Sequence, residues 1–134
     1  MMFENKVFDD AETILDIRDL TVASREGQST RPVLRGISLR IRRGETVCLV
    51  GESGSGKSVA SLATMGLLPK PALEVTGGVI NLEGRDILRL SAEDMRDLRA
   101  RRISIVFQEP MTALNPVMPV GDQIAEVLLT HATM

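Results

Sequence analysis

Apolar and polar residues are spaced differently in successive stretches of the chain, and each pattern predicts an element. Leu15, Ile17, Leu20 and Val22 alternate in part and predict a short strand. Ser24 to Pro32 is polar and rich in turn residues, which predicts a loop. Ile37, Leu39 and Ile41 then alternate with Ser38, Arg40 and Arg42, the period of a strand with one buried face. After the turn Arg43-Gly44-Glu45, the unbroken apolar run Thr46-Val47-Cys48-Leu49-Val50 predicts a strand covered on both faces. Val59 to Leu68 predicts a helix that Pro69-Lys70-Pro71 stops. Val79 to Leu82 predicts a further strand, closed by Glu83-Gly84-Arg85-Asp86. Ser91, with Asp94 three positions on, predicts a capped helix start. Ile103 to Phe107 predicts a second doubly covered strand, followed by a loop holding Pro110, Pro116 and Pro119. Val120, Ile124, Val127 and Leu128 fall at helical spacing on one stripe. Residues 1–12 are polar and acidic and predict a flexible segment. Strands of two kinds interleaved with helices predict an α/β fold.

Composition narrows the function classes. The 134 residues have room for one domain with a core but not for two. Net charge is −2 and the basic residues are scattered, so nucleic acid is not an expected partner. Cys48 is the single cysteine, expected inside a buried strand, where it forms no internal disulfide and suits a reducing compartment. No apolar run approaches the ~18 residues that cross a bilayer. The start, Met1-Met2-Phe3-Glu4-Asn5-Lys6, does not read as a secretory signal. The expectation is a soluble protein, or one that meets a membrane only through a partner.

The chemistry concentrates in Gly51-Glu52-Ser53-Gly54-Ser55-Gly56-Lys57-Ser58, a complete Walker A pattern between an expected strand and an expected helix. A nucleoside triphosphate presents dense negative charge at one end. Glycines let the backbone turn successive N–H groups inward at its oxygens, and the helix start adds unpaired N–H groups and a positive dipole end. Lys57 would supply a full charge to the β- and γ-phosphates, and Ser58 would offer its hydroxyl to Mg²⁺. A side chain at Gly56 would take space that the phosphate needs. The expected ligand is ATP with Mg²⁺. His131 and the carboxylates Glu83, Glu93, Asp94 and Asp97 are expected at the surface.

This loop followed by Phe107-Gln108-Glu109-Pro110-Met111-Thr112-Ala113-Leu114-Asn115-Pro116 resembles the ATP-binding subunit of an ATP-binding cassette importer, in the branch serving dipeptides, oligopeptides, glutathione and nickel. Arg43-Gly44-Glu45-Thr46 and Val120-Gly121-Asp122-Gln123-Ile124 are similar to the same branch, and the resemblance runs from about Leu15 to His131. It implies a P-loop NTPase with a RecA-like core and an antiparallel β subdomain, incomplete at the C-terminal side. Residues 13–134 would be the N-terminal half of a nucleotide-binding domain, from the phosphate loop to the Q-loop and the first part of the helical subdomain. Gln108 would be the Q-loop glutamine, reaching Mg²⁺ and the attacking water.

The implied partners are membrane-spanning permease subunits, a second nucleotide-binding subunit and, indirectly, a solute-binding protein. The implied place is the cytoplasmic face of the bacterial plasma membrane. Two departures from the pattern stand out. Ser24 occupies the position where such proteins usually stack an aromatic residue on adenine, and the chain has neither Tyr nor Trp. The signature Leu-Ser-Gly-Gly-Gln motif, the Walker B strand with its catalytic Glu and the switch His do not occur. ATP hydrolysis coupled to transport is therefore expected of an intact protein, and not of these residues alone. An isolated half would also expose apolar faces. The alternatives are a non-hydrolysing nucleotide-binding remnant or module, and a P-loop kinase or GTPase. The last lacks an Asn-Lys-x-Asp motif, and a kinase leaves the Phe107–Pro116 block unexplained.

Overall fold

The computed structural model describes residues 12–26, 29–107 and 114–131. They divide between two units, residues 1–90 and 91–134. The first unit is built on an antiparallel sheet of β1 (Thr13–Glu26), β2 (Ser29–Arg42), β3 (Leu73–Leu82) and β4 (Arg85–Asp86), in the spatial order β2-β1-β3-β4. One helix, α1 (Lys57–Thr64), packs beside β2.

Leu20, Val22 and Ile80 are fully buried, and Leu15, Ile17, Leu34 and Leu82 complete the apolar floor of the sheet. Each such side chain contributes about 1.5–3 kcal/mol through apolar area removed from water. The expected loop over Ser24–Pro32 is instead the tip of a hairpin: Ser24, Arg25 and Glu26 pair with Arg31, Thr30 and Ser29. Polar composition suits an exposed hairpin end, because the ladder satisfies the backbone while the side chains stay in water.

β3 likewise starts six residues before the expected Val79, taking in Gly77 and Gly78. Gly78 explains how. Its φ of 91° and the 2.6 Å separating a hypothetical Cβ from Arg18 O, Asp19 O and Leu20 Cα admit only glycine. Here the β1–β3 register shifts between Arg18 and Thr21, so the backbones cross at a bulge. At the next turn Glu83 and Gly84 both have positive φ, the geometry of a two-residue hairpin.

α1 starts two residues earlier than expected and ends at Thr64, before the prolines. Gly66, at φ 63°, ends it: its N–H donates to Ala63 O and that of Leu67 to Leu62 O, the paired bonds of a Schellman stop. Ala60, Ala63 and Thr64 form its buried side.

The second unit holds α2 (Ala92–Arg101) and α3 (Val120–His131). Ser91 caps α2 as expected, its Oγ accepting from the Asp94 N–H at 3.1 Å. The Asp94 carboxylate accepts from that hydroxyl at 2.6 Å. The stripe Val120, Ile124 and Leu128 is exposed. The side chains of Val127 and His131 lie outside the described residues.

Two expected strands are not formed. Thr46–Val50 and Ile103–Phe107 pair with no strand among the described residues, and most of their residues are exposed. Leu49 is 47% exposed, Val50 90%, Val106 93% and Phe107 51%. Cys48, expected inside, is exposed. An apolar run becomes a doubly covered strand only when neighbours satisfy its backbone and helices cover its faces. The described residues supply neither. They form the antiparallel β part of the expected architecture, without a parallel strand pair.

Candidate functional site

The connection from β2 to α1 carries the Walker A residues. Gly51 to Ser55 are exposed, Gly56 and Lys57 are half-buried, and Ser58 is exposed at the helix start. Two positive-φ glycines, Gly54 at 81° and Gly56 at 92°, let the backbone reverse twice within three residues. Gly56 is the residue before the first helical turn, and no side chain caps that turn. The first intrahelical bond is donated by Ala60 to Gly56 O at 2.9 Å. The N–H groups of Lys57, Ser58 and Val59 therefore have no helical acceptor, and no acidic side chain sits in the first turn. Together with the helix dipole they form an end that favours an anion.

Lys57 is bent back over its own loop. Its Nζ donates to Gly51 O and Glu52 O at 2.7 Å each and to Ser55 Oγ at 3.1 Å. These bonds hold the ammonium group against its own loop. Ser55 is held in turn by its N–H bond to Glu52 O. A Cβ at Gly51 would stand 2.8 Å from Ser55 Oγ, so a side chain there would push the Ser55 hydroxyl aside.

The structure gives Gly56 a reason that spacing does not show. A Cβ there would lie 2.4 Å from Leu34 Cδ2, so the loop rests directly on the sheet. Leu34 and Val33 thus belong to the site as its floor. Sequence reasoning missed them, because nothing in an apolar strand residue announces a loop packed above it.

The residues Gly51 to Ser58 lie together in the connection before α1 and in its first two positions. Gln108 lies outside the described residues, as do Glu109, Pro110, Met111, Thr112 and Ala113. Farther on, the Gln123 side chain organises the approach to α3. Its Oε1 accepts from Asn115 N at 2.9 Å, and its Nε2 donates to Asn115 O and Met118 O. One amide thereby clamps the loop that precedes its own helix, a role the sequence did not signal.

Outside the loop, the main charge cluster is structural. Asp16 accepts from Arg18 Nε at 2.8 Å and from Arg40 Nη2 at 3.5 Å. The Arg18 hydrogen bond in first place, with help from the charge of Arg40, holds its carboxyl below the usual aspartate range against the opposing effect of burial. No group of three His, Cys, Asp or Glu that could hold a metal occurs among the described residues. Nor is any helix among them long and apolar enough to cross a membrane.

The chain is similar in sequence to several known proteins. Over 123 residues, 92% of its length, the chain is 46% identical to the dipeptide transport ATP-binding protein of Bacillus subtilis (strain 168), covering 37% of that protein. It is 43% identical over 118 residues to the oligopeptide transport ATP-binding protein of the same organism, covering 88% of this chain and 33% of the relative. The oligopeptide transport ATP-binding protein of Escherichia coli (strain K12) is 43% identical over 124 residues, 92% of this chain and 36% of the relative. The chain thus spans about a third of the length of these curated relatives. The ABC transporter family profile matches residues 34–133. By this match the chain belongs to the ABC transporter family.

Proposed function

We propose that the chain binds MgATP at Gly51–Ser58 as part of an ATPase subunit that energises import of peptides or similar small solutes across a membrane. The observation that carries the reading is the loop itself: three helix-start N–H groups without helical acceptors adjoin the loop whose carbonyls hold the Lys57 ammonium. In such a site the amides and Lys57 neutralise the phosphate tail. When the γ-phosphate arrives, Lys57 turns part of its bonding from Gly51 O and Glu52 O to phosphate oxygens. Ser58 Oγ is the protein oxygen offered to Mg²⁺. Mg²⁺, a hard cation that takes oxygen ligands, would be held on the protein side by this hydroxyl and would offset phosphate charge there.

The peptide branch is supported by the names of the relatives. On this reading residues 13–134 form the N-terminal half of a nucleotide-binding domain. Thr46–Val50 and Ile103–Phe107 become parallel strands of a RecA-like core when that core is complete, which accounts for apolar runs left exposed here. Gln108 serves as the Q-loop glutamine toward Mg²⁺ and the attacking water. The partners are permease subunits and a second nucleotide-binding subunit at the cytoplasmic face of the plasma membrane. Hydrolysis belongs to the whole subunit, with a carboxylate and a general base joining these residues.

Calorimetric titration of the purified chain with MgATP tests the reading. Lys57→Ala should weaken binding by about 10- to 150-fold, the loss of a charge-assisted bond of roughly 1.5–3 kcal/mol. Unchanged affinity in Lys57→Ala, with its circular dichroism intact, would refute the role given to this loop.

A further inference from the structure

Arginines occur throughout the sequence, but the sheet places one group of them on its outer strand. Residues 29–44, which make β2 and the start of the turn after it, hold Arg31, Arg35, Arg40, Arg42 and Arg43 and no Asp, Glu or Lys. This stretch carries +5, and because the whole chain is −2 the rest carries −7. β2 is the edge of the order β2-β1-β3-β4, and no strand pairs with its other side among the described residues. Elsewhere in this unit guanidinium groups meet carboxylates: Arg18 meets Asp16, Arg25 meets Glu74 and Arg89 meets Asp86. On β2, Arg40 shares Asp16 at 3.5 Å. Arg31, Arg35 and Arg43 are exposed, and their side chains have no hydrogen-bond or ion-pair partner among the described residues.

Charges on an edge strand have an ordinary use, which is to discourage another chain from pairing there. β2 meets that need by other means. Pro32 has no N–H to offer, Val33 is an extra residue against β1, and Gly36 has a φ of 65°. Each interrupts the even ladder that an added strand needs, so the edge is a poor template for an extended peptide. The three unpaired cations are surplus to edge protection, and they repel one another while they stand alone. From Arg31 to Arg43 the strand runs roughly 35–40 Å at about 3.3 Å per residue. No single small anion bridges such a row, whereas a surface bearing many phosphates meets all of it. Guanidinium groups bond phosphate oxygens in pairs, and long side chains on an edge strand reach past it from either face.

We propose that the β2 edge, through Arg31, Arg35 and Arg43, contacts anionic phospholipid headgroups at a bilayer surface, in addition to any contact with permease subunits. The choice of a bilayer rests on the membrane-side placement proposed above. The length of the row argues against a small anion, and the interrupted ladder against an added strand.

The test is co-sedimentation of the 134-residue chain with two kinds of vesicle, phosphatidylglycerol mixed with phosphatidylcholine and phosphatidylcholine alone. The chain should bind the anionic vesicles and not the neutral ones, and binding should fade as salt rises from about 0.1 M to about 0.5 M. Arg31→Gln, Arg35→Gln and Arg43→Gln combined should weaken binding about 100-fold, at about fivefold for each arginine near the surface. The corresponding triple Lys variant, which keeps the charge, should retain most of the binding. All three positions are exposed, so circular dichroism should be unchanged in both variants. Equal binding to neutral vesicles would trace the contact to exposed apolar residues, and unchanged binding in the Gln variant would trace it to other groups; either overturns the proposal. So does poly-glutamate binding as tight as that of the anionic vesicles, which makes an acidic protein the partner. A chain that binds MgATP but no anionic vesicle overturns the lipid contact and leaves the nucleotide reading standing, and one that binds anionic vesicles but not MgATP does the reverse.

Discussion

Gly56→Ala tests how the phosphate loop is seated, and its cost can be worked from two separable contributions. The first is conformational: φ at this position is 92°, and an L-residue with a Cβ held in the left-handed region loses roughly 1–2 kcal/mol. The second is steric. The new methyl would stand 2.4 Å from Leu34 Cδ2, and Leu34 is 96% buried, so its side chain must leave its rotamer within a packed floor. An off-rotamer shift costs about 0.5–1.5 kcal/mol. Together they amount to about 2–3 kcal/mol. Leu34→Ala removes the colliding methyl but not the backbone strain. It should cost about 2–4 kcal/mol by itself, while the double variant should fall short of the sum by roughly 1 kcal/mol.

Urea unfolding followed by far-ultraviolet circular dichroism reads these values, since the chain has no Trp or Tyr to report by fluorescence. ATP titration of the same four proteins should show Gly56→Ala weakened even under conditions where it is folded, because the loop must lift off β2. A Gly56→Ala chain with wild-type stability, or strict additivity with Leu34→Ala, would refute the seating of the loop on the sheet.

Asp16 should make part of the stability pH-dependent. Its carboxyl titrates lower in the fold than in the unfolded chain, so the contribution is complete above the unfolded value near pH 4. It fades as pH falls through the depressed folded value. Asp16→Asn should cost about 1 kcal/mol at pH 7, because Arg18 is largely exposed and screened, and the gap from wild type should close below about pH 4. A gap that stays constant from pH 7 to pH 3 would contradict the pairing. Amide hydrogen exchange should separate the two kinds of apolar segment. Leu20 and Val22 in β1 should be protected to near the global unfolding limit, while Leu49, Val50 and Val106 exchange fast. Comparable protection of Leu49 and Val22 would show that the unpaired runs are in fact covered.

The local chemistry of the loop was legible in the residues themselves. Gly51, Gly54, Gly56, Lys57 and Ser58 have a fixed spacing because a few consecutive backbone groups do all the wrapping, and short-range geometry is what a sequence encodes most directly. The cap at Ser91 and the half-buried strand around Ile37 were readable for the same reason. Tertiary pairing decided the rest. It turned a polar stretch at Ser24–Pro32 into strand, because Leu20, Val22 and their partners hold the hairpin in register beneath it. It placed Leu34 under Gly56 and inserted Val33 as an extra residue on β2. It also left Leu49, Val50, Val106 and Phe107 exposed, although the composition of their runs is that of buried strands. A residue's type determines the bonds it can make with near neighbours. Whether an apolar run is covered depends on which distant segments are present to satisfy its backbone and exclude water, and only the assembled structure contains that information.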